Sequence, residues 1–121
     1  MDFRFVEDYK KAMNTLGYKQ NYDQYVIAGA ALGFTCKDYE HWQKTALDHL
    51  RVGLTLHHPV EVMFFDHEDC GFYKKIYPGI SEEDMKAKHF EAMQNTHDTL
   101  KQNFKTLNFE GYLMKLDGSY E

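Results

Sequence analysis

The chain has 121 residues, 43% of them apolar and 16% aromatic, which suits one packed domain and is short for two. Its 19 acidic residues outnumber 14 basic ones for a net charge of −5, the wrong sign for a general nucleic-acid binder. The longest apolar stretch, Tyr25 to Phe34, is too short to cross a bilayer, and Met1-Asp2-Phe3-Arg4 opens no apolar signal region, so the expectation is a cytoplasmic protein with no membrane partner.

In chain order, Phe5, Tyr9, Met13 and Leu16 recur at helical spacing, and Gly17 stands where a glycine ends a helix. Tyr25-Val26-Ile27-Ala28 predicts a buried strand that enters a tight loop at Gly29 and Gly33. Asp38 is placed to cap a second helix with a stripe of Trp42, Ala46, Leu50 and Leu54, stopped before Pro59. Val60 to Phe65 predicts a second strand, released into the polar cluster Asp66 to Gly71. Ser81 caps a long helix whose face runs Met85, His89, Met93, His97, Leu100, Phe104 and Leu107. Phe109 to Leu116 predicts the last strand. Helix and strand alternate, so the expected fold is one α/β domain over residues 1–121, a mostly parallel sheet flanked by helices.

Without a secretory signal, Cys36 and Cys70 read as reduced thiols or metal ligands. His67 and Cys70 lie three residues apart in a loop that leaves a strand, and imidazole and thiolate are both good Zn²⁺ ligands. Two donors alone do not define a site, and a loop histidine beside a small buried cysteine is the plainer alternative. Cys36 reads as packing, and His57-His58 as favourable charge at a helix C-terminus. His89 and His97, eight residues apart, do not have metal-site spacing on a helix. Gly29 and Gly33 are not a nucleotide-binding fingerprint. Tyr18, Tyr22, Tyr25 and Tyr39 read as packing or subunit-contact residues, and Lys74 and Lys75 as surface charge.

Asp66-His67-Glu68-Asp69-Cys70-Gly71 resembles the second zinc motif of the β-class carbonic anhydrases, H-x-x-C-G after an apolar strand. Ala28 to Gly33 is similar to the glycine-containing segment before that family's long helix, and Met1-Asp2-Phe3-Arg4 matches the x-D-x-R part of its first motif, C-x-D-x-R. The resemblance runs from Met1 to about Glu121. It implies a zinc enzyme for the reversible hydration of CO₂ to bicarbonate, with His67 and Cys70 as metal ligands and Asp2 and Arg4 as the catalytic pair. Asp2 would orient a zinc-bound hydroxide, and Arg4 would hold Asp2 off the metal. The small-molecule partners would be CO₂ and bicarbonate, in a homodimer or higher homo-oligomer.

This chain departs from the family pattern at one ligand. The family's first Cys would stand immediately before Met1, after an apolar strand, and neither is present. The expectation is a truncated form of a longer protein, because losing a central strand leaves its neighbours' backbone groups unpaired. Zinc would then be absent or weakly held, and hydration impaired. Asp2 with His67 and Cys70 would form a weaker O/N/S set. The alternative is a non-catalytic α/β scaffold without a functional metal site.

Overall fold

The computed structural model describes residues 2–121. Met1, the first residue of the segment compared with x-D-x-R, lies outside the described residues. The architecture is α/β. Five helices, α1 (Val6–Thr15), α2 (Ala30–Thr35), α3 (Glu40–His57), α4 (Gly71–Ile76) and α5 (Glu82–Asn103), surround two strands, β1 (Glu61–His67) and β2 (Asn108–Met114). The strands pair in parallel with Glu61 opposite Asn108 and His67 opposite Met114.

Local chemistry sets the element ends. Gly17, at φ 93°, lets Tyr18 N–H reach Met13 C=O and Gly17 N–H reach Asn14 C=O, which satisfies the last carbonyls of α1. Ser81 caps α5 by accepting from Asp84 N–H at 3.0 Å, with Glu82, Glu83 and Asp84 favourably placed in the first turn. The predicted face of α5 is the packed one: His89, Met93 and Leu100 are buried, joined by Ala92 and Thr96.

Three expectations are corrected. Tyr25 to Ala28 is not a strand; it is irregular, with Tyr25 and Val26 exposed. A strand exists through its ladder, and among the described residues no strand pairs with this segment, so the sheet has two strands where three were expected. Asp38 does not cap α3. It lies inside a 3₁₀ turn, Lys37–Tyr39, and α3 begins at Glu40 after Tyr39, which gives no side-chain cap. The last strand also ends sooner than Leu116, because Lys115 turns back through Gly118 so that Leu113 pairs with Glu121.

The sheet is packed on both faces. Val62, Phe64, Phe109 and Leu113 meet α2, α3 and α5. Phe65 and Met114 meet Phe5, Tyr9 and Ala12 from the N-terminal segment. The edges differ. The C-terminal turn covers part of the β2 edge. On β1, Asn108 N–H bonds Val60 C=O and Glu68 N–H bonds Met114 C=O, so even-numbered residues turn their backbone toward β2. The odd ones, Glu61, Met63, Phe65 and His67, direct theirs outward, where no strand pairs with them among the described residues. Glu61 to Phe65 are all half-buried whichever face they occupy, while Asp66 and His67 are buried.

Candidate functional site

The site forms where β1 ends. His67 is the last strand residue, Glu68 and Asp69 make the turn, and Cys70 is the residue before α4. Asp69 takes a left-handed conformation (φ 59°), which folds the chain back and brings the imidazole and the thiol to one small cavity. Both side chains are buried, His67 at 5% and Cys70 at 6% exposure. His67 Nδ1 lies 2.7 Å from Glu68 C=O, a bond that fixes the ring and leaves Nε2 on the side of Asp2. The Phe5 ring covers the imidazole, with centroids 4.7 Å apart.

Asp2 and Arg4 come to the same place. Asp2 has extended backbone and caps the 3₁₀ turn Phe3–Phe5 by accepting from Arg4 N–H at 2.9 Å. Its carboxylate also accepts from Arg4 Nε at 3.1 Å and from Nη2 at 2.7 Å. Asp2 Oδ2 lies 3.8 Å from His67 Nε2. Arg4 Nη1 donates to Asp69 at 3.0 Å, and Lys74 also donates to Asp69. The structure therefore brings together all four residues singled out in the sequence: Asp2, Arg4, His67 and Cys70.

The electrostatics follow from these contacts. The Arg4 guanidinium holds the Asp2 carboxyl well below the usual carboxylate range. Burial opposes charge on both His67 and Cys70. The attraction between the two together with Glu68 C=O nonetheless raises the imidazole, and the same attraction together with the Tyr73 and Phe72 N–H groups lowers the thiol. Lys74, then Arg4, lowers Asp69.

As a zinc site this is incomplete. His67 and Cys70 offer two donors, while Asp2 has both oxygens engaged by Arg4. Among the described residues no group of three or more His, Cys, Asp or Glu side chains is arranged to hold a metal ion. The residues present therefore do not complete the fourfold coordination of zinc. A cavity of about 10 Å³ beside the pair, lined by residues that include Ala30, Asp66, His67 and Cys70, has room for about one water.

The remaining candidates lie elsewhere. Cys36 is half-buried at the end of α2 and lines a separate cleft of about 180 Å³ with Leu32, Ile76, Tyr77 and Lys88. His57 pairs with Asp23 at 2.5 Å, and His58 ends α3 in a left-handed conformation. His97 packs edge-on against Phe109. Lys75 donates to the Tyr39 hydroxyl at 3.0 Å.

Sequence reasoning missed a buried polar hub directly behind the site. Asp66, 1% exposed, accepts from Ala31 N–H at 2.9 Å, from the Tyr73 hydroxyl at 2.5 Å and from His89 Nδ1 at 2.8 Å. It joins β1 to α2, α4 and α5. The available signal was an acid directly after the apolar run Val62 to Phe65.

No family model matches the chain, and no solved structure matches it. Over its whole length it is 33% identical to an uncharacterized protein of Rickettsia bellii (strain RML369-C), of which it spans 76%. It is 32% identical to an uncharacterized protein of Rickettsia conorii (strain ATCC VR-613 / Malish 7), of which it spans 67%. Identity of about one third along the full chain means that it belongs to one family with these two rickettsial proteins.

Proposed function

We propose that the chain is a β-carbonic-anhydrase-like protein, built for reversible hydration of CO₂ to bicarbonate at a zinc site of which it carries two donors, His67 and Cys70. The observation that carries this reading is the Asp2–Arg4 pair, held with its carboxylate 3.8 Å from His67 Nε2. Residues 2 and 67 are brought to one point although nothing local in the sequence requires it. The open edge of β1 supports the finer fold assignment, a mostly parallel sheet with a place for one more strand. In this reading zinc is weakly held and hydration is near background, because the described residues offer two donors.

The test compares two proteins. Bound zinc and stopped-flow CO₂ hydration are measured on the 121-residue chain and on a version preceded by an apolar strand ending in Cys. The expected result is little zinc and background hydration in the first, and both recovered in the second. A folded, extended protein that still holds no zinc would refute the reading. Full hydration by the 121-residue chain would refute the claim that the missing donor matters. The second reading, a non-catalytic scaffold, is favoured by the two-donor count alone. It requires that the extended protein stay metal-free.

A further inference from the structure

The Asp2–Arg4 pair joins residues two apart in sequence, so it can form wherever the N-terminal segment lies. Something else must set its place relative to His67. The Asp2 carboxylate makes no hydrogen bond to His67 at 3.8 Å. The Phe5 ring packs on the imidazole, but a ring contact is broad and fixes no carboxylate position. Among the described residues one directional contact remains: Arg4 Nη1 donates to Asp69 at 3.0 Å, across 65 residues of sequence. The guanidinium is thus divided, with Nε and Nη2 on Asp2 and Nη1 on Asp69.

We infer that Asp69 is a positioning residue that fixes Asp2 and Arg4 over the His67–Cys70 pair. Two properties of the position fit that role. Its left-handed backbone, φ 59°, is one that Asp and Asn tolerate better than most residues, so the turn admits few side chains and Asp is among them. Its carboxylate is held from the other side by Lys74 of α4, so the group Arg4 docks on is itself anchored. Asp2, Arg4, Asp69 and Lys74 form one line of alternating charge from the N-terminal segment to α4.

The inference rests on reading Asp2 and Arg4 as the pair that serves His67. Its test needs neither metal nor hydration, so either can fail alone. In the metal-free full chain, amide exchange is measured at Arg4 and Phe5, whose N–H groups bond Asp2 Oδ1 and Asp2 C=O. Alkylation of Cys70 by iodoacetamide is followed in a Cys36→Ser background. Asp69→Asn keeps the left-handed turn and removes the charge. Exchange at Arg4 and Phe5 should rise about threefold, the scale of an exposed ion pair, and Cys70 should alkylate faster, while α5 exchange is unchanged. Rates within the error of the parent protein would overturn the proposal. Should Asp69→Asn fail to fold, the parent chain is measured against rising salt. Faster exchange at Arg4 and Phe5 with α5 unchanged supports the docking, and no salt response overturns it.

Discussion

His89 Nδ1 lies 2.8 Å from the Asp66 carboxylate, and both side chains are almost wholly enclosed, at 2% and 1% exposure. The Tyr73 ring stacks on the imidazole with centroids 3.7 Å apart, and its hydroxyl donates to the same Asp66 oxygen. His89 Nε2 is buried without a hydrogen-bond partner among the described residues. The hub is therefore anchored on one side of the imidazole only.

Removing the acceptor should be expensive. Asp66→Ala leaves Ala31 N–H, the Tyr73 hydroxyl and His89 Nδ1 without their partner at once, and should cost about 3–5 kcal/mol. Asp66→Asn keeps a carbonyl oxygen and should cost less. Urea unfolding of both variants measures the difference; equal losses would mean that the charge, not the acceptor count, carries the hub.

Leu100, 5% exposed, packs against Phe34, Phe104 and Phe109. Leu100→Asp buries an unpaired charge there and should cost several kcal/mol, on the order of 3–5. A thermal midpoint near that of the parent protein would mean that another face of α5 is the packed one.

Two helical glycines should respond in opposite directions. A Cβ at Gly33 would collide with Ala28 C=O, a backbone atom that cannot step aside. Gly33→Ala should therefore destabilise by about 1–3 kcal/mol despite the better helix propensity of Ala. A Cβ at Gly53 in α3 meets nothing within 4 Å, so Gly53→Ala should stabilise by about 0.5–1 kcal/mol. Denaturation midpoints that shift the same way for both would refute this distinction.

The Asp2 carboxyl is held below its ordinary value in the folded chain, so its pairing with Arg4 contributes in full above the unfolded value, near pH 4, and is lost as pH falls through the lower folded value. The Asp2–Arg4 pair should stay intact through pH 4 and break only in stronger acid. The Arg4 Nε–H resonance reports this, and release at or above pH 4 would contradict it.

Much of this molecule is legible from residue pattern alone. Ser81 and the acids after it mark the start of α5, and Val60 to Phe65 announces β1, because capping and apolar runs are local signals. Tyr25 to Ala28 reads equally well as a strand and is not one, since strandedness depends on a partner that its own residues cannot declare. His67 and Cys70 are legible by spacing. Asp2 and Arg4 entered only through a resemblance, and their approach to His67 is a long-range contact. Asp66 and His89 stayed hidden for the same reason: on paper they are an acid at a strand's end and a helical histidine, and only the fold makes them a pair.

The parallel pairing of β1 with β2 also governs how the chain assembles. Every rung of that ladder joins residues separated by the whole of α4 and α5, so no part of the sheet can nucleate as a hairpin. Closing that loop costs entropy before any rung forms. Helix α5, capped by Ser81 and closed by its own i to i−4 hydrogen bonds, can be organised earlier from local contacts. The sheet should accordingly be late to form, and a chain stalled before closure would present Val62, Met63, Phe64 and Phe65 with both edges bare, a segment suited to pairing with other stalled chains.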